Sequence, residues 1–426
     1  MIGTMAFTEF CVRSGGSNLN AGTRTGNSTE PGTSANFTYA SGSWAASTGV
    51  FTVASGDPAS DGVAVGDFAS VYADGATVTD FVGLVTARDA TTITVSLTAK
   101  SGTAPTDGTT NRTLKIGGAW QGPNTAVGFP FAFVQSTMKN AAGDAPRVNF
   151  KNDVQYNITA AISHNQAGPI TWQGYTTAYG DFGKATIDGG TSGTSYVLLS
   201  MTVSFNVLID FIFANNGATG AANGISFSGV HSYAMRCVVH HVRGHGVNCP
   251  PSGVGVVLFE CEAYACNQSN SAAIGGFNLG NGTTLSRCIS HDNTGSNGVG
   301  FRLDPGNLGL CQLINCVADS NGNDGIRGTS AAIGYWNIVN CDFYNNVANG
   351  INLSATSGTL IVMIENCNFV KNGGSGFNGS GAAVKMGQIV NCGFGAGTQV
   401  NTSGQTNGIS GITVSGSVTY ADNLTP

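Results

Sequence analysis

Five residues of chemically useful type recur at one phase of the chain. His240, Tyr264, His291, Asp319 and Tyr344 each stand three positions after a cysteine, at Cys237, Cys261, Cys288, Cys316 and Cys341. Imidazole, phenol and carboxylate groups brought to one face would hydrogen-bond hydroxyls, and their rings would stack on flat apolar surfaces, which is the chemistry of a sugar-binding face. A second set, Asn278, Arg302, Arg327 and Asn352, follows a different repeated point, with Asp304 and Asp324 close in sequence to the two arginines. The same residues also suit a plain solvated surface. His291 with Asp319 is then a weak exposed pair, Arg236, Glu260 and Arg287 alternate in sign as cross-strand partners do, and exposed Tyr is ordinary strand composition.

The elements that must position these groups are repeats. The cysteine phase continues through Cys367 and Cys392, with steps of 24, 27, 28, 25, 26 and 25 residues, and Phe211 occupies the same phase one step earlier. A second apolar column, most of it preceded by Gly, holds Ile225, Val247, Phe277, Phe301, Ile326, Ile351, Phe377 and Ile409. Two residues after the cysteine stand Val239, Ala263, Ala318, Phe343, Phe369 and Phe394; two before it stand Met235, Phe259, Ile314, Val339 and Val390. Strand side chains alternate, so this pattern predicts that Cys and its neighbours two residues away on both sides point inward. Such short strands bury a face only by stacking on copies of themselves. A unit of about 25 residues with two or three strands per turn therefore predicts coils about 4.8 Å apart. The cysteines then form an inward column of small apolar residues. Asn216, Asn293, Asn321, Asn346 and Asn372 lie five positions past that column, and Asn315, Asn340, Asn366 and Asn391 lie just before it. Stacked Asn side chains can bond turn backbone that strand pairing does not reach. Gly224, Gly246, Gly300, Gly325, Gly350 and Gly376 are expected to supply the remaining bends.

Composition excludes some classes. Among 426 residues only 9% are charged, 41% are hydrophobic and 63 are Gly, a globular rather than a disordered balance. A net charge of −6 with 17 Lys and Arg offers no basic stripe for nucleic acid. No apolar run reaches membrane-spanning length, and the start, MIGTMAFTEF, carries no secretory signal pattern. The odd count of 11 cysteines cannot pair completely. Free buried thiols are expected, and with them folding in a reducing host cytoplasm.

The Asn columns, apolar ladders and coil length over roughly 118–426 resemble the right-handed parallel β-helix proteins, the pectate-lyase-like group that includes polysaccharide lyases and hydrolases, phage tailspikes and surface adhesins. The expected fold is all-β: a parallel β-helix with a C-terminal cap over 118–426, an N-terminal segment over 1–35, and a small inserted antiparallel β-domain over 36–117. FPFAFVQSTMKNAAGD resembles the short capping helix of such proteins, with Phe131, Val134 and Met138 at helical spacing. Residues 101–112 read as a polar loop, and ITVSGSVTYADNLTP as a closing strand or cap. As a lyase, the family resemblance implies an acidic calcium cluster, for which Asp292, Asp304, Asp319 and Asp324 are the candidates, with Arg302 or Arg327 as base. As a hydrolase it implies two carboxylates, Asp304 with Asp319 or Asp324. The characteristic local motifs of the family's enzymes are absent. The leading expectation is a phage-type virion fibre, spike or decoration subunit contacting glycans, a receptor or other virion proteins, with a homotrimer implied by the tailspikes. It requires no cofactor or metal; calcium enters only with the lyase reading. A polysaccharide-degrading enzyme and a bacterial surface adhesin are the alternatives.

Overall fold

The computed structural model describes residues 7–17, 20–22, 31–76, 79, 81–120, 131, 133–134, 136–139, 142–166, 168–271, 274–303, 309–328, 334–353, 360–379, 384–394, 400–401 and 412–415. The chain forms two compact units, one of Met1–Ile187 with Phe205–Phe211 and one of Asp188–Ser204 with Ile212–Pro426.

In the first unit, Thr8–Val12 pairs in parallel with Pro146–Lys151, which pairs with Thr171–Tyr175, which pairs with Val207–Ile209. Between the first two strands the chain makes a closed six-stranded antiparallel barrel of Phe37–Ala45, Val50–Thr52, Phe68–Ala73, Phe81–Arg88, Thr92–Gly102 and Gly108–Ile116. This is the inserted β-domain. Trp44, Phe51, Val71, Phe81, Val85, Ile93 and Leu114 fill it. Closure leaves no free strand edge. Strands run through both ends of the expected 101–112 loop, and Trp44 Nε1 donates to Pro105 O at 3.0 Å, tying down the short connection left between them.

Pro58–Asp61 is the one α-helix among the described residues. Where a capping helix was expected, the described residues from Phe131 to Asp144 form turns. The apolar anchors Phe131, Val134 and Met138 are nonetheless fully buried. The Phe131 ring lies between Phe150 at 5.1 Å and Trp172 at 4.4 Å. Three anchors at helical spacing do not require a helix, because a segment this short draws its conformation from tertiary packing rather than propensity.

The second unit is a stack of coils, each contributing a strand to each of three parallel sheets. One sheet runs from Tyr233–Met235 through Gly309–Ile314 and Gly334–Val339 to Ile412–Ser415. The next begins just past each cysteine, as in Val317–Asp319 and Asp342–Tyr344, and the third carries the Gly–apolar column, as in Ile326–Gly328 and Ile351–Asn352. Ile225, Val247, Phe277, Phe301, Ile326, Ile351 and Phe377 pair in register as expected. The last place is taken by Val400, because the final step is shorter; Ile409 lies outside the described residues.

The cysteine column is inward, and all eleven cysteines are buried and outside any disulfide. Cys316 N and Cys341 N each point at the sulfur one coil on, at 3.4 Å. The thiols of Cys261, Cys288, Cys341, Cys367 and Cys392 also lie 3.4–3.9 Å from a carbonyl of the preceding coil, as Cys341 does from Leu313 O at 3.5 Å and Cys367 from Ile338 O at 3.6 Å. These are weak S–H···O contacts available to Cys and not to Ala.

The inward pattern before the cysteine differs from the expectation. Ile314, Val339 and Val390 are half-exposed, and it is Leu313, Ile338 and Ile389 that are buried. The cause is the residue between. Asn315, Asn340, Asn366 and Asn391 have φ of 52° to 54°, and Arg236, Glu260 and Arg287 of 52° to 55° at the same place. A left-handed residue turns the chain from one sheet to the next and breaks the alternation, so the inward residue lies three before the cysteine rather than two. Asn tolerates this backbone, whereas Arg and Glu rarely adopt it.

The asparagines five past the cysteine form a continuous ladder. Asn293 Nδ2 donates to Asn321 Oδ1 at 2.7 Å, Asn321 Nδ2 to Asn346 Oδ1 at 2.9 Å, and Asn346 Nδ2 to Asn372 Oδ1 at 2.9 Å. Each Oδ1 also accepts a backbone N–H of the preceding coil. The column glycines serve a different purpose from the one expected, since none of them has a positive φ. A Cβ on Gly300 would lie 2.5 Å from Gly325 O, and one on Gly325 2.6 Å from Gly350 O. Close backbone approach between coils selects Gly there.

Candidate functional site

The sequence pattern placed the polar stripe correctly in register. His240 pairs with Tyr264, Tyr264 with His291, His291 with Asp319 and Asp319 with Tyr344 on successive strands of the sheet that follows the cysteines. All five are half-exposed. The positions are outward because Val239, Ala263, Ala318 and Phe343, one residue earlier, are buried.

Tyr264 does not offer its ring faces to solvent. His240 stacks on Tyr264 at 4.9 Å and 16°, and Tyr264 on His291 at 5.0 Å and 13°. Both faces of Tyr264 are covered by ring neighbours, so a ligand there meets its edge and phenol oxygen. The His291 side chain bonds two other carboxylates rather than its strand partner Asp319. Its Nε2 meets Glu262 Oε1 at 2.9 Å and its Nδ1 meets Asp292 Oδ2 at 2.8 Å. Burial opposes the imidazolium, but hydrogen bonds to these two carboxylates outweigh it and raise the His291 pKa. His240 moves the other way, lowered by burial and by His241, whose Nδ1 is 2.8 Å from its own. Asp319 Oδ1 accepts from Ser320 Oγ at 2.7 Å and Asn345 Nδ2 at 3.2 Å. Burial, with Asp319 and Asp342 nearby, raises the Tyr344 phenol.

The second set also falls in register, Asn278 on Arg302, Arg302 on Arg327 and Arg327 on Asn352, on the third sheet. Beside it runs a second ladder absent from the sequence expectations. Asn223, His245, Asp324, Asn349 and Ser375 each immediately precede a column glycine. Asn223 Oδ1 accepts His245 N at 3.0 Å, His245 Nδ1 accepts Gly275 N at 3.2 Å, Asp324 Oδ1 accepts Asn349 N at 3.0 Å, and Asn349 Oδ1 accepts Ser375 N at 2.9 Å. The signal was a short acceptor side chain before Gly in most repeats. His245 is buried; that burial, with Arg302 beside it, pushes its pKa down to about 3. Burial raises the Asp324 pKa against its bonds from Asn349 and Asn352.

No known protein family and no curated protein matches the chain. Among solved structures, pectate lyase Pel9A aligns over 61% of this chain and 69% of its own at 20% identity, with a TM-score of 0.49. ORF18 of Geobacillus virus E2 aligns over 63% and 53% at 16% identity and 0.39. Tailspike gp49 of Acinetobacter baumannii bacteriophage Fri1, a capsular polysaccharide depolymerase, aligns over 60% and 50% at 11% identity and 0.37. The chain spans about half the length of the last two.

The chain has the right-handed parallel β-helix fold. Within this β-helix each described carboxylate expected of a lyase is held by neighbouring side chains. Asp324 is buried and its two oxygens are taken by Asn349 and by Asn352, at 2.8 and 3.0 Å. Asp319 is held by Ser320 and Asn345, and Asp292 by His291. Asp304 lies outside the described residues, and with it the proposed hydrolase pairs. Among the described residues no group of three or more His, Cys, Asp and Glu is placed to hold a metal ion. Arg327 Nε is 4.0 Å from Asp324, and Arg302 Nη1 is 3.5 Å from His245 Nε2. Arg287 meets Glu260 at 3.2 Å, as cross-coil pairing requires.

Proposed function

We propose that this protein is a phage-type virion β-helix subunit that holds a glycan along the stripe of His240, Tyr264, His291, Asp319 and Tyr344. The observation that carries the reading is the in-register presentation of imidazole, phenol and carboxylate groups once per coil. Their spacing of about 4.8 Å is close to the length of one pyranose ring, so successive sugars meet successive side chains through hydroxyl hydrogen bonds. Eleven buried cysteines outside any disulfide support folding in a reducing cytoplasm. The Asn ladders support a rigid rod, the quality a spike or fibre needs. Of the similar structures, one is a pectate lyase and two come from viruses, so the likeness leaves the choice to the site itself.

The test is binding to a panel of acidic and neutral bacterial surface polysaccharides. Tyr264→Phe with Tyr344→Phe keeps rings and removes hydroxyls, and should weaken binding about 10-fold or more, as loss of hydrogen bonds does. A double variant that binds every panel member like wild type removes the stripe. Release of new reducing or unsaturated ends by wild type, lost in Asp319→Asn while binding survives, would favour the enzyme reading instead.

A further inference from the structure

The groups that the stripe leaves for a ligand are rich in hydrogen-bond acceptors. Its strands carry a second outward column, in which Glu262, Ile289, Val317 and Asp342 pair in register two residues before Tyr264, His291, Asp319 and Tyr344. Carboxylates therefore flank the stripe at Glu262, at Asp342 and, just past His291, at the exposed Asp292, besides Asp319 within it. Asp319 and Asp342 each use one oxygen: Asp319 Oδ1 accepts from Ser320 and Asn345, and Asp342 Oδ1 accepts from Asn368 Nδ2 at 2.7 Å. Among the described residues nothing donates to Asp319 Oδ2 or Asp342 Oδ2, and the hydroxyls of Tyr264 and Tyr344 have no hydrogen-bond partner. Cations are few, and the central one is engaged. His291 has both nitrogens bound, to Glu262 and to Asp292. His240 spends its Nδ1 on His241. Arg287 turns away, lying over the Phe259 ring at 5.6 Å and binding Glu260 at 3.2 Å, and Arg236 acts on Tyr233 of that same preceding sheet. Arg302 and Arg327 belong to the third sheet, and Lys371 stands one coil beyond Tyr344, past the end of the stripe.

We infer, on the reading that this stripe is the glycan site, that its ligand is an uncharged glycan, a polymer of neutral sugars, and that polyanionic glycans are excluded from it. A sugar hydroxyl both donates and accepts, so a neutral residue can give a hydrogen to Asp319 Oδ2 or Asp342 Oδ2 and take one from a Tyr hydroxyl. Bonds to a carboxylate are the stronger kind. A uronate or sulfate group instead brings acceptors to a face of acceptors. It also brings like charge to Glu262, Asp292, Asp319 and Asp342, while the imidazole among them has no nitrogen left to receive it. Like charges set against each other are how a site rejects a wrong partner. The choice between neutral and acidic glycans is therefore made by the carboxylates around the stripe, and the affinity for sugar as such by the stripe's own hydroxyls.

The experiment measures binding of the full chain to dextran, mannan and galactan, and to alginate, polygalacturonate and hyaluronan, each acidic polymer before and after reduction of its carboxyl groups. Wild type should bind at least one uncharged polymer, with that binding weakened in Tyr264→Phe with Tyr344→Phe. Carboxyl reduction should raise the affinity for a polymer about 10-fold or more, and residual binding of the unreduced form should strengthen as salt screens the repulsion. Asp319→Asn with Asp342→Asn should narrow the gap between the two forms about 10-fold. If that double variant fails to fold, the comparison of reduced and unreduced polymer on wild type decides alone. An acidic polymer bound through the two tyrosines as tightly as its reduced form, or bound more weakly as salt rises, overturns the inference and leaves the stripe standing as a glycan site. Binding of no polymer, or binding untouched by the tyrosine variant, removes the stripe itself and the inference with it.

Discussion

Asn346→Ala is the sharpest test of the ladder. Asn346 is 1% exposed. Its Oδ1 accepts from Asn321 N at 3.2 Å and from Asn321 Nδ2 at 2.9 Å; its Nδ2 donates to Ala318 O at 3.1 Å and to Asn372 Oδ1 at 2.9 Å. Truncation removes all four bonds and strands their partners in an enclosed turn. At about 1 kcal/mol net per bond, with a further penalty for buried groups left unsatisfied, the loss should be about 3–5 kcal/mol. The control is Asn368→Ala, an exposed side chain whose amide donates to Asp342 Oδ1 at 2.7 Å. That should cost under about 1 kcal/mol, as surface substitutions do. Urea unfolding gives the two free energies, and native-state hydrogen exchange at Asn321 N–H reports the coil concerned. In a stack of coils the damage is local first, so exchange should accelerate there before the global midpoint moves fully. Equal losses for Asn346→Ala and Asn368→Ala, or unchanged exchange at Asn321, would refute the reasoning.

Thiol titration should find the eleven cysteines unreactive in the native state and reactive on unfolding without reductant, and disulfide-linked peptides joining Cys316, Cys341 and Cys367 would contradict this; burial pushes the thiols of Cys266 and Cys311 up to about 12. Cys341→Ser should cost about 1–3 kcal/mol in urea unfolding, because it buries a hydroxyl in place of a thiol. His245 has a folded pKa depressed to about 3, so the unfolded chain binds the extra proton first and stability falls as pH drops below the ordinary value of 6.5. His245→Asn keeps an acceptor for Gly275 N–H and should recover about 2 kcal/mol at pH 4.5, measured by urea unfolding against pH. His291 has a raised folded pKa, so its pairing with Glu262 and Asp292 stabilises fully below 6.5 and is lost as pH rises through the folded value; NMR titration should show Glu262→Gln lowering that pKa.

In a parallel solenoid each residue's neighbour is its equivalent one repeat later, so periodicity in the sequence is already a contact map. That is why the cysteine column, the ladder from Asn293 to Asn372 and the register of His240, Tyr264, His291, Asp319 and Tyr344 could be read from spacing alone. The antiparallel character of the inserted domain was equally plain from its turn punctuation, though closure into a barrel was not. What spacing does not carry is the sign of φ. Alternation placed Val339 inside with Cys341, but the left-handed Asn340 between them reverses direction and puts Ile338 inside instead, leaving Val339 half-exposed. Nor does it carry lateral choices within a face: His291 takes Glu262 and Asp292 rather than Asp319, and Tyr264 turns its ring edge-on, because those outcomes depend on side-chain rotamers packed against neighbouring coils. The amino-acid sequence by itself determined which residues stack. Only the tertiary structure decided which way each stack points, since one bend per coil is enough to invert it.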